Sequence, residues 1–200
     1  VRQIALTLSP AAKPEVIEPE ISKEFLNRGP VRIFADASDL YYQIGRTFAR
    51  AGSEGSIRWA VEDSSKGGGS FSPPAFLESA VFVMFPTGKL ACLDRETGKM
   101  RWSHRVSVAS TGTSIAIAKD IVVAVVSRRS RFVVLGLDVQ NGEIKWTSEL
   151  GPGVDVVALD ANAQGEIALG FSSGEIALIR GDSGESVWNR RIAGISSEIK

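Results

Sequence analysis

The even spacing of the four tryptophans constrains the fold of this chain more than any other feature. They are Trp59, Trp102, Trp146 and Trp188, separated by 43, 44 and 42 residues. A glycine stands four positions before each of them, at Gly55, Gly98, Gly142 and Gly184. A repeat of about 40–45 residues has the length of one propeller blade. The spacing therefore predicts a repeat protein with one structural unit per tryptophan.

Short apolar runs of alternating pattern precede each tryptophan, and turn residues separate them. The last repeat contains VVAL at 156–159, EIALGF at 166–171 and EIALI at 175–179, followed by Trp188. Apolar and β-branched runs bounded by Gly, Asn, Asp and Ser are typical of strands joined by tight turns. Over 75–191 no long stretch has the 3.6-residue period of a helix. We expect an all-β fold with about four strands per repeat.

The residues before two of the tryptophans predict a tight hairpin. Asp94 and Asp138 stand eight positions before Trp102 and Trp146. Their carboxylates can accept hydrogen bonds from turn N–H groups, and the following glycine can adopt positive φ. The large indole can then wedge between neighbouring sheets. We interpret these Asp, Gly and Trp residues as structural, although Arg180 stands where the last repeat would have its aspartate.

These motifs resemble a known repeat family. Ser72-Pro73, Leu93-Asp94 and Thr97-Gly98, with Trp102 four residues after Gly98, are similar to the PQQ-like (quinoprotein-like) β-propeller repeat. Leu137-Asp138 and Gly142 through Trp146 repeat the pattern. The resemblance covers about residues 31–191 and implies four-stranded blades stacked around an axis. Members commonly resemble seven- or eight-bladed wheels, so the resemblance implies a partial wheel here.

We expect the chain to divide into an N-terminal segment, four blades and the start of a fifth. Residues 1–30 read as a strand and linker that could pair with another blade, and 193–200 as the opening of a further blade. Missing blades would come from further sequence or from a partner chain. The four predicted blades are 31–62, 71–106, 111–149 and 153–192.

Composition excludes several classes of function. Lys+Arg and Asp+Glu are both 23, so no basic excess suggests nucleic-acid binding. Cys92 is the sole cysteine, which excludes an internal disulfide, and His104 is the sole histidine. Acids such as Asp36 and Asp39 are expected on surface turns, with no metal or cofactor site. No apolar run reaches the roughly 20 residues of a membrane span.

The cluster Arg128, Arg129 and Arg131 is expected in the loop between the second and third strands of its repeat. It is the candidate interaction site, because arginine is favoured at interfaces. We expect a non-catalytic scaffold for protein–protein interaction within a larger protein or complex. The alternatives are a fragment of a quinone-dependent dehydrogenase and a small-ligand sensor propeller. The resemblance favours an extracytoplasmic or membrane-associated setting, although no residue fixes the compartment.

Overall fold

The computed structural model describes residues 31–36, 39–52, 56–64, 72–106, 114–128, 131–150 and 155–192. The predicted segments 1–30 and 193–200, Gly55 and Arg129 lie outside these ranges. Sixteen strands, and no helix, make up the described part of the chain. The strands are β1(Val31–Asp36), β2(Asp39–Ile44), β3(Thr47–Ala51), β4(Ile57–Glu62), β5(Ala75–Phe76), β6(Ala80–Met84), β7(Lys89–Asp94), β8(Met100–Arg105), β9(Ser114–Ala118), β10(Ile121–Arg128), β11(Arg131–Asp138), β12(Ile144–Glu149), β13(Val156–Ala161), β14(Glu166–Phe171), β15(Glu175–Arg180) and β16(Ser186–Arg191).

Each group of four consecutive strands forms one antiparallel sheet in sequence order. We call these sheets blades 1 to 4; they contain β1–β4, β5–β8, β9–β12 and β13–β16. Three apolar cores connect neighbouring blades in series. The predicted all-β, partial propeller is confirmed.

The blades stack face to face through three apolar cores. Blade 1 packs on blade 2 through Tyr41, Phe48 and Val83, and the opposite face of blade 2 packs on blade 3 through Phe82 and Leu135. The opposite face of blade 3 meets blade 4 in a third core that includes Val123, Val125, Ile167 and Leu169. Alternation along each strand sends successive side chains to opposite faces. Blades 2 and 3 therefore bury both faces, which is why β6 reads as a continuous apolar run.

Antiparallel order places the turns of every blade at two ends. The turns between first and second and between third and fourth strands lie at one end, called the motif end. The turn between second and third strands lies at the other, called the hairpin end, together with the connections between blades. Gly98 and Gly142 are at the motif end, and Arg128 and Arg131 are at the hairpin end.

A tryptophan joins each blade to the next at the motif end. The indole Nε1 of Trp102 in blade 2 donates a hydrogen bond of 3.0 Å to the carbonyl oxygen of Val139 in blade 3. Its ring lies on Gly142, where an added Cβ would be 2.6 Å from Trp102 Cε3. We call this pair of contacts the tryptophan latch. Equivalent latches form at the other two interfaces. Trp59 Nε1 donates to the Arg95 carbonyl at 3.0 Å and its ring lies on Gly98. Trp146 Nε1 donates to the Gly181 carbonyl at 2.8 Å and its ring lies on Gly184.

The four tryptophans occupy one register position. Trp59, Trp102, Trp146 and Trp188 pair with Arg50, Cys92, Gly136 and Leu178 on the third strand of their blades. In every blade the register shifts immediately after that pair, as in a β-bulge. A bulge bends a strand and re-aims its side chains. The bulge therefore lies where each indole must reach the neighbouring blade.

The turn before each tryptophan closes through the backbone. Gly98 N donates to the Asp94 carbonyl, Gly142 N to that of Asp138, and Gly184 N to that of Arg180. The three glycines have φ of 68°, 73° and 73°, a region that side chains disfavour. Because Arg180 supports the same bonds, the turn does not depend on the aspartate side chain.

The Asp94 carboxylate adds hydrogen bonds to its turn. It accepts them from Arg101 Nη2 at 2.8 Å and from the Thr97 backbone N–H at 2.9 Å. The Arg101 guanidinium, followed by the Thr97 N–H, holds the pKa of Asp94 well below its ordinary 3.8. Backbone N–H groups of Gln140 and Asn141 lower the pKa of Asp138 in the equivalent turn. Both carboxylates are thus stabilised in their charged form.

We expect Trp102→Phe to destabilise the fold by about 1–3 kcal/mol, because it leaves the Val139 carbonyl without its donor and removes buried ring atoms. Urea unfolding followed by circular dichroism measures the change. Trp188→Phe is the matched control, since Trp188 has no such acceptor among the described residues, and it should cost less than about 0.5 kcal/mol. Equal losses in the two variants would contradict the latch.

Gly142→Ala should be more destabilising than Gly165→Ala by about 1–2 kcal/mol. Both glycines have positive φ, of 73° and 85°. At Gly142 the new Cβ meets the Trp102 ring at 2.6 Å, whereas at Gly165 it meets the flexible Lys119 side chain at 3.0 Å. Thermal unfolding of the two variants separates backbone strain from loss of the latch. Similar melting temperatures would show that the ring contact has little energetic weight.

Asp94→Asn should lower the melting temperature at pH 7 by about 1–3 °C, a modest effect because the site is partly exposed to solvent. A carboxylate whose pKa is depressed by folding contributes stability above its unfolded pKa and loses it as the pH falls. The difference between wild type and variant should therefore shrink below the ordinary pKa of 3.8. Asp182→Asn, at an exposed turn position of blade 4, is the control. A difference independent of pH would exclude a charge effect.

Candidate interaction surface

Arg128 and Arg131 of the arginine cluster lie in the paired strands of a projecting hairpin rather than in a loop. Sequence reasoning placed the cluster between two strands, but β10 continues to Arg128 and β11 begins at Arg131, and these two residues pair. Ser127 and Phe132 form the preceding pair. The equivalent hairpin of blade 2 ends its ladder at Met84 and Leu90, which corresponds to Val125 and Val134 in blade 3. The ladder of the blade 3 hairpin therefore extends further at the hairpin end than the ladder of the blade 2 hairpin.

Arg131 is exposed at the base of this hairpin tip. Its Nη1 lies 3.9 Å from Glu149 Oε2, and the two side chains are 57% and 70% exposed. An exposed ion pair at this distance contributes little stability. The Arg131 guanidinium can therefore leave Glu149 at small cost.

The predicted blade-motif residues are brought together in pairs across blades, not into one site. Gly98 meets Trp59, Gly142 meets Trp102, and Gly184 meets Trp146. Asp94 and Asp138 lie in their own turns, bonded to residues within seven positions along the chain. Trp188 has no following blade among the described residues. The motif thus positions sheets and turns, while the arginine hairpin lies at the opposite end.

A buried ion cluster between blades 1 and 2 was missed by sequence reasoning. Asp39 was expected on a surface turn, but it lies in β2, is 6% exposed and is paired with Arg50 at 3.0 Å. Arg95 of blade 2 bonds both Asp39, at 3.1 Å, and Asp36, at 2.7 Å. Asp36 also lies in a strand, β1. The partners are 11 to 59 positions apart, so no local motif indicates the cluster.

The ion cluster reinforces the latch of Trp59 between blades 1 and 2. Arg50 Nη1 donates to the Arg95 carbonyl at 2.8 Å, the same oxygen that accepts from Trp59 Nε1. Burial alone would raise the pKa of Asp39, but hydrogen bonds from Arg50 and Arg95 outweigh it and hold that pKa below its ordinary value. At the hairpin end, Lys89 Nζ of blade 2 lies 2.8 Å from the buried Asp63 of blade 1, which Thr87 also bonds. Charged contacts therefore connect these two blades at both ends.

Cys92 and His104, the sole cysteine and the sole histidine of the chain, both lie in blade 2. Cys92 is 1% exposed in the core between blades 2 and 3, and burial raises the pKa of its thiol to about 11. A thiol held in its protonated form is a poor nucleophile. His104 is exposed on β8, with its ring centroid 6.0 Å from that of Trp102.

A shallow groove of about 410 Å³ opens at the motif end between blades 3 and 4. Lys119, Asp120, Glu166, Arg180 and Asp182 contribute charges of both signs to its lining. Lys119 has φ of 54°, a strained value for a residue with a side chain. The groove has no single-sign character, so it does not select an anionic or cationic ligand.

The described ranges contain neither a cluster of metal ligands nor a membrane-spanning helix. No three His, Cys, Asp or Glu side chains of these residues converge as metal ligands. Within the same part of the chain, no helical segment has the length and apolar character that crossing a lipid bilayer requires.

Known proteins share this repeat. The family model described as "Outer membrane protein assembly factor BamB" matches residues 46–200. BamB of Yersinia pestis is 26% identical over 147 residues, which cover 69% of this chain and 36% of that protein. The chain therefore spans about a third of this curated relative.

Solved structures share the fold. The crystal structure of BamB from Moraxella catarrhalis superposes with a TM-score of 0.63 at 22% identity, covering 80% of this chain and 48% of that one. Quinohemoprotein alcohol dehydrogenase from Comamonas testosteroni gives a TM-score of 0.66 at 14% identity, covering 80% and 34%. At these identities the superpositions establish the propeller fold alone. Since the family model matches well over half of the residues, the chain belongs to the PQQ-like repeat family described as outer membrane protein assembly factor BamB.

Proposed function

We propose that this chain is a non-catalytic β-propeller scaffold that binds a protein partner within a larger protein or complex. The observation that carries the proposal is the family match over residues 46–200, since that family is described as an assembly factor. The relatives from Yersinia pestis and Moraxella catarrhalis carry the same name. By this kinship, the chain acts in a membrane-associated assembly complex.

The proposed mechanism is geometric. Blades 2 and 3 are packed on both faces, and latches fix each blade to the next. Close-packed interiors deform little, so the turns at both ends are held in fixed relative positions. A rigid frame presenting variable turns binds without paying for large-scale ordering of its own backbone.

We assign the arginine hairpin, Arg128 through Arg131, as the contact for an acidic segment of the partner. Its ladder extends beyond the level of the blade 2 hairpin, and Arg131 has a long, exposed ion pair with Glu149. Guanidinium groups form forked, charge-assisted hydrogen bonds with carboxylates. An acidic partner segment would therefore meet a projecting group of opposite charge.

Arg131→Glu should weaken partner binding about five- to tenfold without changing the melting temperature, because the side chain is exposed and charge reversal repels an acidic partner. A photo-cross-linking amino acid at position 130 captures the partner in cells. The affinity of the purified partner for wild-type and variant protein is then measured by calorimetry.

Lys99→Glu is the matched control, since it makes the same charge change at an exposed residue of the motif end. It should leave the affinity unchanged. Equal weakening by both variants would indicate long-range charge effects only, and unchanged affinity of Arg131→Glu would remove the hairpin from the binding site.

A further inference from the structure

The turn between β11 and β12 places a side-chain amide next to a glycine. The chain has four asparagines, Asn27, Asn141, Asn162 and Asn189, and a glycine follows Asn141 alone. Because Gly142 has no Cβ, its backbone nitrogen can approach the preceding side chain without steric hindrance. Attack of that nitrogen on the amide carbon is the first step of asparagine deamidation. The pair is therefore a candidate site of covalent modification.

The amide of Asn141 is not required for the turn. In three blades, the side-chain oxygen of the residue before the turn glycine accepts a hydrogen bond from the backbone N–H two residues further on. The acceptors are Thr97, Asn141 and Ser183, at 3.3, 2.8 and 3.4 Å. Hydroxyl oxygens make the same contact in blades 2 and 4. Asn141 differs from them in having an electrophilic carbon.

The hydrogen bond to Asn141 also favours attack on its amide carbon. Glu143 N donates to Asn141 Oδ1 at 2.8 Å. When a nitrogen adds to an amide carbon, negative charge develops on the amide oxygen, and an N–H group aimed at that oxygen stabilises the charge. The Asn141 side chain is exposed, so water reaches the product of the attack.

The attacking nitrogen, in contrast, is held in place by the turn and by the latch between blades 2 and 3. Gly142 is buried, and its N–H donates to the Asp138 carbonyl oxygen at 2.8 Å. Two rings of blade 2 cover it, since an added Cβ would lie 2.6 Å from Trp102 Cε3 and 2.8 Å from His104 Cδ2. To attack Asn141, the nitrogen must leave Asp138, which moves the glycine from beneath these rings. The reaction therefore requires local opening of the latch.

We propose that Asn141 is a site of spontaneous deamidation and that opening of the Trp102 latch sets its rate. The Gly142 nitrogen loses its proton to water or hydroxide and forms a bond to Asn141 Cγ. The Cγ–Nδ2 bond breaks, and Nδ2 takes up a proton and leaves as ammonia, which closes a succinimide ring. Water then opens the ring to aspartate or isoaspartate, without oxidation or reduction. This modification goes beyond the proposed scaffold function and does not depend on the arginine hairpin.

Isoaspartate at this position weakens the latch that limits its own formation. The main chain of isoaspartate runs through Cγ, which adds one backbone carbon between residues 141 and 142. The longer turn displaces Gly142 from the Trp102 ring, a contact that leaves no room even for a Cβ. The modified protein should therefore be less stable than the fresh protein.

The test incubates the folded protein at neutral pH, and peptide mapping by mass spectrometry measures deamidation at each asparagine. Asn162 is the internal control, because it is exposed and its Oδ1 likewise accepts from the N–H two residues further on, that of Gln164, at 3.0 Å. Ala163 follows it, and the alanine Cβ hinders the attack. We expect Asn141 to react at least about tenfold faster than Asn162. Equal rates at the two asparagines would overturn the proposal.

Trp102→Phe loosens the latch and should accelerate the reaction of Asn141 about three- to tenfold. Phe82→Leu replaces a ring whose centroid lies 5.8 Å from that of Trp102, and it loosens the same latch if Trp102→Phe does not fold. Trp188→Phe is the matched control and should leave the rate unchanged. The same rate in the original chain and in both latch variants would exclude control by the latch.

The effect on stability is measured with Asn141→Thr, which places at this turn the residue that blade 2 has at Thr97 and removes the amide. Incubation should lower the melting temperature of the original chain by about 2–4 °C as isoaspartate accumulates, and should leave that of Asn141→Thr unchanged. Isoaspartate is quantified by enzymatic methylation of its carboxylate. Equal falls in the two proteins would show that the loss of stability does not arise from Asn141.

Discussion

A hydrogen bond from an indole N–H to a backbone carbonyl of the next sheet is the interaction on which the order of this structure depends. Apolar faces alone hold sheets together without fixing how they slide, since the hydrophobic effect has no direction. The latch adds direction, because Nε1 must meet one carbonyl and the ring must lie on one glycine. Three repetitions of the same contact give three interfaces of the same geometry.

The interface between blades 1 and 2 differs from the others in its charge. Asp39 and Arg50 of blade 1 bond each other, and Arg95 of blade 2 bonds the same Asp39 carboxylate across the interface. Buried ion pairs of this kind contribute little net stability but are costly to break singly. Arg95 would lose both carboxylates if blade 2 packed on another sheet, so the cluster favours blade 1 as its neighbour.

The sequence predicts those parts of the structure that depend on local or periodic patterns of residues. Tryptophan spacing, turn glycines and alternating apolar runs predict the four sheets, and the family match confirms the PQQ-like repeat. The ion cluster was not predictable, because Asp39 and Arg95 are 56 positions apart and each looks like an ordinary polar residue. The hairpin of Arg128 and Arg131 was read as a loop, because three arginines interrupt an apolar pattern whose strands nevertheless continue to pair.

Every latch has its donor on one face of a sheet and its acceptor turn on the opposite side, and this polarity has a consequence for how such chains change in length. A segment that starts after one tryptophan-bearing strand and ends after the next carries one acceptor and one donor. Duplicating or deleting that segment still places every donor tryptophan beside an acceptor turn, so each remaining interface keeps its latch. Wheels of different size can therefore arise by gain or loss of whole units, whereas a cut inside a sheet would leave an indole facing the wrong partner.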